Sequence, residues 1–159
     1  IELLIDIHIE SKDNFFLDKA IQYTRALLNI KTNDNMLPLY PFPDEDFLDP
    51  KRKEISKEYG FYSLDSNIDF VVNLLKLFEL TKSDLYLEES FNFLENIVDI
   101  FQYGTSYTEM VSLDKTLKWD KVRTKYLGLM LKPFLYSIEL ENGNSMLLDS
   151  KLKVMLQDR

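Results

Sequence analysis

Two stretches of this chain, Ile1–Ile30 and Val71–Ile100, resemble each other at an offset of 70 residues. Apolar positions coincide along both stretches. The polar break Ser11-Lys12-Asp13-Asn14 aligns with Thr81-Lys82-Ser83-Asp84, and an aromatic-Leu pair follows each break. Chance similarity between amphipathic helices is the alternative, but the shared register across the break favours a true repeat. Repeats of this kind are typical of stacked supersecondary units.

Each copy has the pattern of a helical hairpin. In the second copy, Val71, Leu74, Leu75 and Phe78 follow the i, i+3, i+4, i+7 spacing of a helix face. Ser66, with an aspartate three residues later, resembles a capping box and predicts a helix start there. The predicted hairpins span about 1–30 and 67–102, and a further helix is expected over about 121–140. The apolar arc is wide, so neighbouring elements must cover it.

The predicted fold is therefore all-α, a single domain of antiparallel helical hairpins with long connections. Three prolines keep the connection Lys31–Asp65 extended, and a short helix is expected over Lys51–Tyr59 within it. The stretch Gln102–Asp120 is predicted to be non-helical. Alternation through Tyr107, Glu109 and Val111 suggests a short hairpin arm there.

The amino-acid composition excludes several kinds of functional site. The chain has 159 residues, no cysteine, one histidine and 4 glycines. Disulfides, thiolate metal sites, cysteine nucleophiles and phosphate-cradling glycine loops are thus excluded. A net charge of -8 argues against a nucleic-acid partner. No apolar run is long enough for a membrane span. We expect a cytoplasmic protein with no cofactor, no metal and no membrane partner.

The chain opens on Ile1 in an apolar, periodic stretch. This predicts that it begins inside a helix of a longer protein, so that the rest of that chain or another subunit is a partner. An exposed apolar patch is accordingly expected around Ile1, Leu4, Ile5 and the helix that begins near Lys121.

The second break has the sequence Phe78-Glu79-Leu80-Thr81-Lys82-Ser83-Asp84-Leu85-Tyr86-Leu87-Glu88. It resembles the hairpin turns of the α/α-toroid carbohydrate enzymes, the six-hairpin glycosidases and the N-acylglucosamine 2-epimerase-like proteins. Ile9–Asp18 is a weaker copy. The resemblance covers both hairpins and implies that the chain is part of a larger α/α toroid with a saccharide substrate. The epimerase-like members use a histidine pair, whereas this chain has only His8, so no family catalytic residue is carried over.

Several polar residues are candidates for chemistry, each with a structural alternative. His8 can act as an acid or base, or lie on a helix without a chemical role, which is the favoured interpretation. The acidic residues at 44, 45, 46 and 49 can supply a carboxylic acid or a cation site, although a solvated acidic loop is favoured.

Asp65 and Asp120 each precede a predicted helix and suit N-cap positions, a contribution of roughly 0.5–2 kcal/mol. In a toroid the same loops face the central cavity, where two carboxylates suit glycoside hydrolysis. We therefore take Asp65 and Asp120 as the candidate catalytic pair. The candidate substrate-binding residues are Tyr40, Phe42, Tyr62, Trp119 and Arg123. Aromatic rings can stack on a sugar and an arginine can hold its carboxylate, and packing is the structural alternative for each.

The sequence thus supports two functions. The first is a carbohydrate-active enzyme of the α/α-toroid type, either a glycoside hydrolase or a sugar epimerase. The alternative is a non-catalytic helical-repeat scaffold that binds a protein or peptide. Candidate side chains that converge on one pocket favour the enzyme.

Overall fold

The computed structural model of the chain describes residues 1–39, 60–104, 106–116, 118, 130, 131 and 133. Four helices carry most of it: α1 (Glu2–Ser11), α2 (Asn14–Ile30), α3 (Leu64–Thr81) and α4 (Asp84–Phe101). Helix α1 packs on α2, α3 packs on α4, and a smaller contact joins α1 to α3. The two predicted helical hairpins are thus confirmed, and no strand interrupts either of them.

Within the described ranges, five short strands accompany the helices: β1 (Pro38–Leu39), β2 (Phe61–Ser63), β3 (Gln102–Tyr103), β4 (Ser106–Tyr107) and β5 (Met110–Ser112). Strand β2 lies between β1 and β5, antiparallel to both, while β3 and β4 form a separate hairpin. The all-α prediction is therefore corrected: the described chain is mostly helical and also carries small sheets. The physical reason is that the connections satisfy their backbone groups by pairing with one another.

The two hairpin turns have equivalent backbone conformations and hydrogen bonds. Lys12 and Lys82 both adopt left-handed backbone conformations, with φ of 58° and 55°. The N–H of Lys12 donates to the carbonyl of His8 at 2.8 Å, and that of Lys82 to Phe78 at 2.7 Å. These equivalent bonds end α1 and α3 in the same way, which is a common C-terminal cap.

Side chains in the two turns also match. Ser11 Oγ donates to the carbonyl of Ile7 at 2.7 Å, and Thr81 Oγ1 donates to Leu77 at 2.7 Å. The turns differ at the next helix start. Asp13 accepts a bond from the Phe15 N–H at 2.9 Å, whereas Ser83 caps α4 without a side-chain bond. The repeat is thus present in the turn geometry and not only in the apolar pattern.

Helix α3 begins at Leu64, three residues before the predicted start. Strand β2 runs directly into it, since the Leu64 N–H donates to the carbonyl of Glu109 at 3.0 Å and continues the sheet bonding. Ser63 is the N-cap, and Ser66 already lies inside the helix. The expected capping box at Ser66 and the expected cap at Asp65 are therefore both wrong, because the sheet sets where the helix begins.

The core is built around α3 and α4. Each of these helices has ten buried residues, whereas α1 buries only Ile5, and α2 only Ala20 and Thr24. Phe70 of α3 and Phe93 of α4 meet edge to face with ring centroids 5.1 Å apart. Strand β2 and β5 contribute Tyr62 and Val111 to the same cluster. The first hairpin therefore covers the second and is itself covered much less.

Ion pairs join the two hairpins. Lys76 of α3 contacts Asp6 Oδ1 at 3.1 Å and Glu2 Oε1 at 3.2 Å on α1. Burial lowers the pKa of Lys76, but the hydrogen bonds that Lys76 donates to Asp6 and Glu2 outweigh this effect and leave the pKa raised. Lys31, at the end of α2, lies 2.5 Å from Glu89 of α4. Charge thus fixes the register of one hairpin on the other.

The remaining predicted elements lie largely outside the described residues. These include the short helix over 51–59 and most of the helix over 121–140, of which Met130, Leu131 and Pro133 are described as helical. Met130 is buried and Leu131 is exposed. The predicted hairpin arm is divided, because Tyr107 lies in β4 and Val111 in β5.

The left-handed turn residues give a direct test of stability. A non-glycine residue at positive φ is strained by roughly 1 kcal/mol, whereas glycine is not. We expect Lys82→Gly to raise the free energy of unfolding by about 0.5–1 kcal/mol, measured by urea denaturation. The matched control is Lys19→Gly in the interior of α2, which should lower it by about 1 kcal/mol. A loss of stability from Lys82→Gly would contradict the strain argument.

Candidate functional site

Hydrogen bonds and an ion pair join four polar residues of the described chain into a junction: Thr32, Asp34, Tyr62 and Lys115. Tyr62 is only 1% exposed, and β2 places its hydroxyl 3.0 Å from Asp34 Oδ2 and 2.9 Å from Thr32 Oγ1. Because an ionised carboxylate only accepts hydrogen bonds, the phenol donates to Asp34. The junction therefore ties β2 to the connection that follows α2.

Asp34 is charged at this junction and has a cationic partner. Lys115 Nζ lies 2.6 Å from Asp34 Oδ1. The hydrogen bond from Lys115 is the main reason that the pKa of Asp34 lies below its ordinary value. The bond from Tyr62 adds to this effect, and partial burial opposes it. The phenol thus meets an ionised carboxylate at neutral pH, which makes a charge-assisted bond.

A tight turn presents Lys115 to the junction. Asp114 accepts from Ser112 Oγ at 2.5 Å, from the Thr116 N–H at 3.1 Å and from Thr116 Oγ1 at 2.8 Å. These bonds, that of Ser112 first, lower the pKa of Asp114. Lys115 between them has a φ of 63°, so the turn is held in a conformation that local side-chain bonding must support.

A second group of hydrogen bonds, called here the Asn67 clamp, lies on α3 beside the junction. Asn67 is fully buried, and its Oδ1 accepts from the Leu37 N–H at 2.8 Å. Its Nδ2 donates to the carbonyl of Leu37 at 3.1 Å and to that of Ser63 at 2.9 Å. One side chain therefore bonds three backbone groups and ties the connection after α2 to the start of α3.

Two of the predicted site residues lie among the described residues. Tyr62 was expected to stack on a sugar, but its ring is buried and its hydroxyl is bonded within the protein, so it is a core residue and not a binding platform. The physical reason is that β2 is a central strand, which turns alternate side chains into the core. Tyr40, Phe42, Trp119, Asp120 and Arg123 lie outside the described residues.

Asp65 occupies the first turn of α3 and is half-buried. Its Oδ1 is buried without a hydrogen-bond partner among the described residues. An unpaired buried carboxylate oxygen is costly, although the N-terminus of a helix favours negative charge. Asp65 and Tyr62 do not share a hydrogen bond in the described structure, so the two described candidates form no common polar site.

His8, the single histidine of the chain, makes a contact within the protein. His8 Nδ1 lies 3.0 Å from the carbonyl of Asp13, to which it donates across the first turn. The acidic residues at 44, 45, 46 and 49 lie outside the described residues. Within the described ranges no three acidic or histidine side chains are grouped to hold a metal ion.

The first hairpin carries an exposed apolar surface. Its strongly exposed members are Leu3 (70%), Phe15 (57%), Tyr23 (54%) and Ile30 (59%). The expected patch around Ile1, Leu4 and Ile5 is wrong in its location, because Ile5 is fully buried and the other two are half-buried. Ile5 belongs to the core cluster and Ile1 and Leu4 pack against it, whereas the exposed apolar residues of the first hairpin are the four named above.

Comparisons of the chain with family models, curated proteins and solved structures gave no match. Of the helices among the described residues, none is both long and apolar enough to cross a membrane. The interpretation of this chain therefore depends on its own geometry.

Sequence reasoning missed the junction and the Asn67 clamp. The run Thr32-Asn33-Asp34-Asn35 is a turn signal, and Asn35 does adopt a left-handed conformation with φ 49°. The ion-pair partner of Asp34, Lys115, is 81 positions away in the sequence, and no local pattern indicates such a pair.

The Asp34 pair predicts a pH dependence. A carboxylate whose pKa is lowered by folding stabilises the protein above its unfolded pKa, and this stabilisation is lost as the pH falls through the folded pKa. We expect Asp34→Asn to lower the free energy of unfolding by about 1 kcal/mol at pH 7, and the difference to shrink in acid below pH about 4.

Urea denaturation at pH 7 and in acid below pH about 4 measures the difference in the free energy of unfolding. Asp18→Asn, at an exposed position of α2, is the control. A difference between Asp34→Asn and the parent protein that stays constant with pH would contradict the ion-pair assignment.

Proposed function

We propose that this chain is a helical-hairpin scaffold that binds another protein through the exposed apolar surface of its first hairpin. The observation that carries the proposal is the contrast between the two hairpins. The described second hairpin has one large apolar side chain that is strongly exposed, Leu85 at 46%, whereas the first leaves Leu3, Phe15, Tyr23 and Ile30 more than half exposed. Surfaces of this kind commonly mark interaction sites.

The energetics favour a partner. Covering a large apolar side chain contributes about 1.5–3 kcal/mol. Four such side chains therefore offer enough to offset part of the cost of association. Exposed polar residues, among them Gln22 and Asn29 of α2, border the surface. An apolar centre with a polar border is the usual anatomy of a protein interface.

The described polar residues support a structural role better than a catalytic one. Tyr62, Asp34 and Asn67 use their hydrogen-bonding groups to join segments of the chain. In these bonds the polar groups contact other parts of the chain. The scaffold is therefore the function that this geometry supports best.

Photo-cross-linking in the cells that make the protein tests the proposal. A photoreactive phenylalanine analogue in place of Tyr23 should give one discrete protein adduct. The same analogue in place of Glu95, exposed on α4, should give none. The adduct should decrease at least tenfold when Ile30→Ser is added. Absence of an adduct at position 23, or equal adducts at both positions, would contradict the scaffold function.

A second candidate is the carbohydrate-active enzyme of the α/α-toroid type. The observation that favours it is the buried Oδ1 of Asp65, which has no hydrogen-bond partner among the described residues. A carboxyl group held in this way suits a general acid or base in glycoside hydrolysis, with Asp120 as the proposed second carboxylate. Epimerisation would use the same group for proton transfer.

The test is Asp65→Asn, assayed by the release of reducing ends from a panel of neutral and uronic-acid oligosaccharides. For the enzyme we expect turnover to fall by at least about 100-fold, with the helical circular dichroism unchanged. Asp69→Asn, one turn further along the exposed side of α3, is the matched control and should retain turnover. Turnover that survives in Asp65→Asn, or no turnover by the parent protein on any member of the panel, would contradict this candidate.

A further inference from the structure

The short segment that follows α2 is fastened to the second hairpin. Asn67 of α3 bonds both the N–H and the carbonyl of Leu37. The Tyr62 hydroxyl of β2 lies 2.9 Å from Thr32 Oγ1. These bonds fix the segment on the second hairpin, although it begins directly at the end of the first. Lys31, the residue between α2 and the fixed segment, is therefore the place where the first hairpin can turn relative to the second.

Two lysines hold the first hairpin on the second by ion pairs. Lys76 of α3 bonds Glu2 and Asp6 of α1, and Lys31 bonds Glu89 of α4. The carboxylates of Glu2 and Asp6 are 51% and 53% exposed, so salt in the solvent can screen them. The Lys31 pair lies where the hairpin can turn, whereas the Lys76 pairs join α1 to α3. The Lys76 pairs are called here the latch.

Burial is divided unequally between the two hairpins, and two buried polar atoms lack partners. Helices α3 and α4 have ten buried residues each, whereas α1 buries Ile5 and α2 buries Ala20 and Thr24. Thr24 Oγ1 and Asn73 Oδ1 are buried with no hydrogen-bond partner among the described residues. Asn73 lies one turn before Lys76 on the same face of α3. Water can bond such atoms when a structure opens, which offsets part of the free energy that opening costs.

We propose that the first hairpin is a latched cover, which opens about Lys31 as a unit while the second hairpin and the segment fixed to it stay folded. Opening breaks the latch and uncovers the side of α3 that α1 contacts. Ile5, fully buried in the closed form, then becomes accessible. Helices without their tertiary contacts are marginal in water, so the open hairpin loses part of its helical hydrogen bonding. The cover thus conceals an apolar surface that only the open form offers.

Native-state hydrogen exchange, followed for each amide by NMR, tests the proposal. We expect the amides of α1 and α2 to exchange at least about tenfold faster than those of α3 and α4, with a weaker dependence on urea. The Leu37 amide, which is bonded to Asn67, should exchange with the slow group. A rise in NaCl from about 0.05 M to about 0.5 M should speed exchange in α1 and α2 about threefold, because salt screens the latch.

Two variants separate opening of the cover from global unfolding. Phe93→Leu weakens the contact with Phe70 inside the second hairpin, a contact that the open form keeps. It should speed exchange in α3 and α4 about tenfold and leave α1 and α2 within about twofold. Lys76→Gln removes the latch, which both the open and the unfolded forms lack, and should speed exchange in all four helices about fivefold. The matched control is Lys19→Gln, since Lys19 bonds Gln22 of its own helix, and its effect should stay within about twofold.

Three results would overturn the proposal. The first is an equal effect of Phe93→Leu on all four helices, which is the result expected if the two hairpins unfold together. The second is exchange of the Leu37 amide together with α2, and the third is unchanged exchange of α1 and α2 in Lys76→Gln. If Phe93→Leu does not fold, Ile97→Val makes a smaller truncation in α4 for the same comparison. The scaffold function is judged separately, by the photo-cross-linking adduct at position 23.

Discussion

Helices α3 and α4 are apolar around so much of their circumference that no single neighbour can cover them. Ten residues of each are buried, by the packing of α3 and α4 on each other and by three further sources: the first hairpin, the small sheet and the connection after α2. Each source must approach with its own backbone groups satisfied, because an unpaired buried N–H or carbonyl costs about 1–3 kcal/mol. The polar clamps of this protein follow from that requirement. Asn67 bonds the backbone of Leu37 and Ser63, and Tyr62 bonds the side chain of Asp34, so that the connections can lie on the core.

The clamps also explain why a mostly helical chain carries strands. A connection that crosses a buried helix cannot leave its backbone to water, and β1, β2 and β5 pair with one another instead. Strand β2 is followed directly by α3, and the Leu64 N–H still bonds to Glu109 at the junction. The sheet is therefore a means of covering the helices, and it sets where α3 begins.

The helices and turns could be predicted because their signals are local. Apolar spacing defines each helix face, and the Lys12 and Lys82 breaks lie in equivalent positions with equivalent bonds. The strands could not, since two- and three-residue segments are too short to show a period. Asp65 was misplaced as a cap because the sheet, a long-range contact, moved the helix start. Tyr62 was expected to stack on a sugar, but the residue type alone does not show which way a side chain points, and its ring is buried in the core. The Asp34–Lys115 pair joins two turns far apart in sequence, which no motif reports.

Equivalent positions of the repeat are buried to different extents in the two hairpins. Two segments with the same register of apolar residues should bury the same positions if they have the same neighbours. Phe93 and Tyr23 are equivalent in sequence, yet one is fully buried and the other is half exposed. The difference therefore lies in the neighbours and not in the helices themselves. Since a tyrosine carries a polar hydroxyl that a phenylalanine lacks, Tyr23 tolerates water when it is exposed and still offers a large ring when a partner covers it. Such a residue suits a surface that alternates between solvent and a partner, whereas Phe93 suits a position that is always covered.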